Sequence, residues 1–177
     1  NVRGQAPIVD VAYLPVMCQH CDDAPCIKAA ENDAVQKRPD GIVLIHPEKA
    51  KGQRQIVDSC PYGAIWWNEE KELPQHWNFD AHLIDQGWSA PRADKVCATE
   101  AIRAVKVDAA EMELMVEKME LENLHPEYGT MPRVWYKNLY RYRDCFIAGS
   151  VAAERAGQID CVENATVTLT KDAIEVE

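Results

Sequence analysis

Apolar and polar positions alternate roughly through "PIVDVAYLP", and residues 1–17 are predicted to be extended, stopping at a proline. Residues 18–34 then lose any period and form a cysteine-bearing loop, with a short helix over "CIKAAEN". "DGIVLIHP" predicts a strand: an Asp-Gly turn, an apolar run and a His-Pro stop. "EKAKGQRQIVDSC" reads as a short helix weakened at Gly52, and "YGAIWWNEE" as a second strand. The order turn, strand, short helix, cysteine, strand implies small repeated ββ or βαβ units.

Residues 74–103 carry no clear period and are predicted to be irregular. "DAAEMELMVEKMELENLHP" is predicted to be a helix that opens on Asp108 and stops at His125-Pro126. Its stripe of Met112, Met115, Val116 and Met119 is expected to pack in a core rather than to bind a ligand. "GTMPRVWYKNLYRYRD" predicts a short aromatic strand. "ATVTLTKDAIEVE" alternates with period two and suits an edge or hairpin of a β appendage.

Composition narrows the function classes. The chain has 177 residues, of which 47% are hydrophobic, enough for one cored domain with an appendage. Its net charge of −10 repels phosphates and argues against nucleic-acid binding. The short basic stretch "EKAKGQRQ" suits a solvated turn or helix face. No run reaches the ~18 apolar residues of a membrane helix, and "NVRGQAPIVDVAYLPVM" has no signal-peptide pattern. The first residue is Asn rather than Met, so the reading leaves room for an upstream segment.

Seven cysteines is an odd number, and they cluster instead of spreading as in a disulfide scaffold. That points to a reducing, cytoplasmic setting and a metal site. The constellation is Cys18-x2-Cys21-x4-Cys26, then Cys60 followed by Pro61. One tight loop can wrap three corners of a cubane cluster, and the fourth thiolate must come from elsewhere. The ferredoxin run shares this logic, its fourth cysteine standing before Pro and serving another cluster. Structural zinc, which uses paired cysteine knuckles or a closing histidine pair, is the rival. Cys60 has no knuckle partner, so the motif favours iron–sulfur. His20 is read as a filler pointing away.

The remaining candidates have plainer readings. Cys145 and Cys161 are expected to be free and buried; His46, His76, His82 and His125 are expected to be satisfied core or surface residues. Asp22-Asp23 and Glu69-Glu70 are read as solvated faces, and no catalytic residues are assigned. "GQAP" and "YGT" carry no phosphate-loop pattern. Trp66, Trp67, Trp77, Trp88 and Trp135 are expected to pack a cluster shell or a subunit interface.

"CQHCDDAPC … DGIVLIHPEKAKG … DSCPYGAIWWNEE" resembles the electron-transfer subunits of molybdopterin enzymes of the dimethyl sulfoxide reductase family. The stretches "DGIVLIHPEKAKG" and "PRVWYKNLYR" resemble the branch that holds the small subunits of pyrogallol–phloroglucinol transhydroxylase and resorcinol hydroxylase. The likeness spans residues 15–145. It implies a ferredoxin-like α+β fold with a helical segment and a short C-terminal β appendage. The implied parts are a [4Fe–4S] domain over 1–105, a helix and interface segment over 106–145, and a partial β appendage over 146–177.

In that family two four-cysteine runs exchange their last members. The resemblance implies that Cys18, Cys21, Cys26 and Cys60 hold one [4Fe–4S] cluster. The ligands of its neighbour would stand at Ala30, Ala50, Gln53 and Ile56, where none can bind iron. A further cluster has lost its slots at Trp77, Asp80 and Ala93. Cys97 matches the fourth ligand of an N-terminal cluster, so a second cluster is expected only with residues upstream of this chain.

The implied partner is a large catalytic subunit with a molybdenum or tungsten bis-pterin cofactor, acting on hydroxylated aromatics. The alternative function is a docking subunit stapled by zinc or by a redox-silent cluster. A self-sufficient enzyme is disfavoured because no catalytic constellation is present.

Overall fold

The computed structural model describes residues 2–144, 151–155, 157–168, 170, 171, 174 and 175. The chain divides into two compact units, Tyr13–Arg143 and Asn1–Ala12 with Asp144–Glu177. Among the described residues the strands form six antiparallel pairs. Short helices stand between them, so the expected mixture of helix and small sheets is present.

In the smaller unit β1 (Val2–Gln5) pairs with β2 (Ile8–Val11), as the extended N-terminal reading anticipates. Arg3 is buried and pairs with Asp10 across this hairpin.

The larger unit opens with the cysteine loop and α1 (Pro25–Ala29), which begins on a proline at its first turn, where no amide donor is needed. β3 (Val35–Lys37) and β4 (Val43–Ile45) form a hairpin with Val35 opposite Ile45. Two single-turn helices follow, α2 (Pro47–Ala50) and α3 (Gln55–Asp58). β5 (Ile65–Asn68) then pairs with β6 (Leu73–His76). The repeated unit is therefore a short helix followed by a hairpin: α1 with β3–β4, α3 with β5–β6. Both predicted strands exist, but the partner of β4 falls in residues 35–37, for which the sequence predicts no element, and that of β5 falls almost wholly in the stretch expected to be irregular.

The main core lies between these repeats. Ala34, Val35, Val43, Ala50, Ile56 and Ile65 are all buried there, and Cys26, Ala30 and Cys60 pack against it. The hairpin turn before β4 needs Gly41, whose φ is +90°. A Cβ at Gly41 would stand 2.3 Å from Nη1 of Arg133, the residue whose Nε donates to Asp22 at 2.7 Å. Gly41→Ala is expected to cost about 1–2 kcal/mol through backbone strain, visible as a lowered thermal midpoint. An unchanged midpoint would remove that turn from the stability account.

Residues 74–103 are more regular than expected. They hold β6, α4 (Ala81–Asp85) and α5 (Arg92–Val96). Helix α6 (Ala109–Met119) opens as predicted on Asp108, whose carboxylate accepts the Glu111 amide at 2.8 Å. It ends earlier than predicted, at Glu120 in the left-handed conformation, and not at His125-Pro126. The apolar stripe is corrected too: no residue of α6 is buried, and Met112, Met115 and Val116 are half-buried in this chain.

β7 (Leu121–Glu122) pairs with β8 (Tyr136–Lys137), the aromatic strand foreseen in the sequence, and α7 (Tyr140–Arg143) follows. Leu124, Tyr136 and Leu139 make a second small core with Leu14, Tyr62 and Val134. In the other unit β9 (Ala152–Arg155) pairs with β10 (Gln158–Cys161), and β11 (Thr170–Lys171) with β12 (Ile174–Glu175). Cys161 is exposed, not buried as expected, and Cys145 lies outside the described residues.

Candidate metal centre

Cys18, Cys21, Cys26 and Cys60 line one cavity, floored by Val43 and Ile65 and rimmed by Pro61 and Tyr62. Each is a free thiol. Cys26 sits on the first turn of α1, and Cys60 directly follows the turn that ends α3. The two helical turns thus bring thiols from opposite ends of the repeat to one cavity.

The loop between Cys18 and Cys21 turns back through His20, a non-glycine residue with φ of 47°. That backbone needs support and receives it from β3 and β4. The Val43 amide donates to Nδ1 of His20 at 3.0 Å, and Nζ of Lys37 donates to the carbonyls of His20 and Cys21 at 2.8 and 2.7 Å. His20 is thus no filler. It is a buried clamp, 3.9 Å from Cys18 Sγ, and Trp77 and Phe79 stand against its ring. With Nδ1 accepting an amide proton, burial holds this imidazole neutral, its pKa lowered to about 3.

A second clamp comes from far along the chain. The Asp22 amide donates to the Met131 carbonyl at 2.9 Å, Asp23 to Thr130 at 3.1 Å, and Arg133 to Gln19 at 2.9 Å. Nε2 of Gln19 donates to Oη of Tyr136 at 3.0 Å, which donates in turn to the Pro15 carbonyl. The "GTMPRVWY" stretch therefore lies along the cysteine loop like an added strand. Sequence reading saw a strand in it but not the partner, because nothing local signals a backbone ladder to residues 19–23.

Burial decides the electrostatics. It pushes the Cys18 thiol up to about 12 and Cys26 to about 11, and raises Cys21 as well. The other sulfurs add to each of these shifts, since several thiolates in one apolar cavity repel one another. Backbone amides counter the charge: His20 toward Cys18, and Cys26 and Ile27 toward the Cys26 sulfur. The Thr130 hydroxyl does the same for Cys21. Thiols held this way keep their protons unless a cation draws them off, and the amide donors lessen the cost of that charge. Among the described residues no three His, Cys, Asp or Glu side chains converge on a single-ion position.

The positions where the resemblance places further ligands hold two kinds of structure. Ala50 and Ile56 are fully buried in the main core with Ala30 packed against it. Gln53 stitches that region, its Oε1 accepting the Glu31 amide at 2.8 Å and its Nε2 donating to the Glu31 and Lys49 carbonyls at 3.2 and 2.8 Å. At the other lost site, Trp77 packs on His20, and buried Asp80 accepts the Arg92 amide at 2.9 Å and Arg92 Nε at 3.0 Å. An ion pair and helix cap here tie α5 to the 77–80 loop.

The Arg92 contacts hold the Asp80 carboxyl below the usual carboxylate range. A depressed acid stabilises the fold above its unfolded pKa, near 3.9, and that contribution is lost as pH falls through the folded value. Wild-type stability is expected to fall below about pH 4, and the fall is expected to be shallower in Asp80→Asn. Parallel acid titrations of the two proteins would contradict the assignment.

Other candidates stay apart from the cavity. Cys97 is not among its lining residues; its sulfur accepts the Ala101 amide at 3.2 Å. The Thr99 hydroxyl, then the Ile102 and Ala101 amides, lower its pKa. His46 bonds Gln36, His76 the Val43 carbonyl and His125 Glu127, the satisfied roles expected of them. Of the tryptophans, Trp77 reaches the cysteine loop. Trp66 is exposed, while Trp67 lies under Arg54 and Trp88 under Lys95, so these three are surface side chains of this chain. No helix among the described residues is long and apolar enough to cross a membrane.

The comparisons agree with this chemistry. The 4Fe–4S dicluster domain profile matches residues 9–107, more than half of the chain. The pyrogallol hydroxytransferase small subunit of Pelobacter acidigallici is 42% identical over 177 residues, covering 98% of this chain and 63% of that protein. The dimethylsulfide dehydrogenase subunit beta of Rhodovulum sulfidophilum is 33% identical over 76% of this chain and 42% of its own length. The perchlorate reductase subunit beta of Dechloromonas aromatica is 36% identical over 75% of this chain and 41% of its own length. The chain spans about half the length of these curated relatives. With four cysteines on one amide-lined cavity and this profile across both helix–hairpin repeats, the chain belongs to the 4Fe–4S dicluster domain family.

Proposed function

We propose that this chain is the electron-transfer part of a larger oxidoreductase or transhydroxylase complex, carrying one [4Fe–4S] cluster on Cys18, Cys21, Cys26 and Cys60. The carrying observation is the cavity itself: a cysteine 34 positions beyond the loop lines the same space as the loop's three. A single zinc, with bonds of about 2.3 Å, would hold its four sulfurs about 3.8 Å apart. A cube spreads its ligands wider, since each binds a different corner.

When bound, such a cluster takes up and returns one electron without making or breaking a covalent bond to substrate. The chain's own residues serve that role by holding the site still and dry. Lys37, His20 and the 130–133 segment fix the loop, and Val43, Ile65 and Pro61 shield it. The relatives' names, small or beta subunits of a hydroxytransferase, a dehydrogenase and a reductase, support a separate catalytic partner. We take that partner to be a large subunit with a molybdenum or tungsten bis-pterin cofactor, acting on hydroxylated aromatics in the cytoplasm.

Anaerobic purification with metal analysis and electron paramagnetic resonance tests the reading. The expected result is about four iron atoms per chain and a signal that appears on reduction. Stoichiometric zinc in a colourless protein would replace electron transfer with the docking role.

A further inference from the structure

Lys37 of β3 stands opposite Val43 of β4, and both members of this pair reach the cysteine loop. The Val43 amide holds Nδ1 of His20 at 3.0 Å. Nζ of Lys37 donates to the His20 carbonyl at 2.8 Å and to the Cys21 carbonyl at 2.7 Å. Its third contact is Oδ1 of Asp22 at 2.9 Å. An ammonium has three N–H donors, so each proton of this one goes to a different residue of the loop. The same Asp22 oxygen also accepts Nε of Arg133 at 2.7 Å. Two cationic side chains and one carboxylate therefore meet at the backbone of Cys21.

Ion pairs at a protein surface usually contribute little. Two observations separate Lys37 from that case. Its side chain is only 20% exposed, against 41% for Asp22 and 49% for Arg133. Its charge is also tied to the ligand residue itself: only the carbonyl carbon, Cα and Cβ stand between the Cys21 carbonyl oxygen and the Cys21 sulfur. Asp23, the next acid on the loop, is taken up by Lys28. The group at Cys21 thus carries a net positive charge on a chain whose total is −10.

We propose that Lys37 is a positioning residue that sets the reduction potential of the centre through its fixed charge, which Asp22 partly offsets. This rests on the reading of the four cysteines as cluster ligands. Reduction adds an electron that spreads over the cluster and its sulfurs. A cation held nearby stabilises that more negative state and raises the potential, and a carboxylate lowers it. Both act without touching iron, so their effects have opposite signs. A purely structural clamp would give no such pair of signs.

The test is a redox titration followed by electron paramagnetic resonance. It uses the full chain purified anaerobically with any retained partner, and iron is measured on each sample. Lys37→Met keeps the length of the side chain and removes the charge; its midpoint is expected to move to more negative potential. Lys37→Arg keeps the charge and is expected to stay close to wild type. Asp22→Asn removes the offsetting charge and is expected to move the midpoint to more positive potential, by less than Lys37→Met because Asp22 is more exposed. Equal midpoints for wild type and Lys37→Met, a Lys37→Arg midpoint matching methionine, or shifts of the same sign in Lys37→Met and Asp22→Asn overturn the proposal. If Lys37→Met loses its iron, Asp22→Asn decides alone, and a midpoint at or below wild type there overturns it. Loss of iron from both overturns it as well, since the group would then hold the loop and not the potential. A wild-type chain without iron would instead sink the ligand assignment, a separate outcome.

Discussion

Replacing Cys60 by serine is expected to abolish the reducible centre, taking iron from about four atoms per chain to a small residue and removing the visible absorbance. The expectation follows from where Cys60 stands. Three thiols arrive on a loop braced by Lys37, His20 and the 130–133 segment, whereas the fourth arrives on the turn after α3. A three-thiolate loop leaves one corner of the cube open to solvent and oxygen. Serine is a poor substitute because its hydroxyl gives up a proton far less readily than a thiol. The same change is expected to loosen the fold, since metal binding and folding draw on the same free energy. Cys60 closes a loop of more than thirty residues, while Cys97, outside the cavity, offers a control. Cys97→Ser is expected to leave iron content and absorbance unchanged. Full iron in Cys60→Ser, or iron loss in Cys97→Ser equal to that in Cys60→Ser, would contradict the four-cysteine assignment.

The contrast between Cys60 and its surroundings shows what the sequence could and could not reveal. The cysteines were legible because their chemistry is written in spacing and in the proline after the last of them. Strands β4 and β5 were legible because each is an apolar run bounded by turn residues. Their partners were not. Val35-Gln36-Lys37 is too short to show a period, and Leu73-Pro74-Gln75-His76 carries a proline that argues against a strand. Both are strands because a neighbour supplies a ladder, which no local pattern encodes. The end of α6 was misplaced for a related reason. His125-Pro126 is a strong stop signal, but Glu120 had already adopted the left-handed cap that glycine or asparagine usually marks.

The largest gap concerned the cysteine loop's support. Sequence alone gives His20 no role, because a lone histidine between cysteines has no motif of its own, and its bond to the Val43 amide depends on the hairpin register. The 130–133 segment was invisible as a partner because its bonds span over a hundred residues. The one local signal is Arg133 in "GTMPRVWY", a cation suited to the Asp22 carboxylate on the loop. The filled ligand slots, by contrast, were legible as losses but not as gains. Counting absent cysteines says nothing of what replaced them.

That replacement makes Ile56 the position with the largest expected effect on stability. At the positions where the resemblance places a second cluster's ligands, the chain buries apolar volume. Ile56 is 0% exposed, on α3, and is packed with Ala34, Val35, Val43, Ala50 and Ile65. Truncating a fully buried isoleucine to alanine removes its transfer free energy and leaves a cavity, about 2–5 kcal/mol together. For a chain of this length that corresponds to roughly 2–4 °C of thermal midpoint per kcal/mol, so Ile56→Ala is expected to melt about ten degrees lower. Gln53→Ala is expected to cost less, about 1–3 kcal/mol, because the Glu31 groups it satisfies lie near the surface and can turn to water. The order matters more than either value. If the vacated site is held by packing, Ile56 outweighs Gln53; if it is held by the amide stitch, the order reverses. A third result, both variants melting with the wild type, would mean that the four cysteines and their cluster alone carry the two repeats.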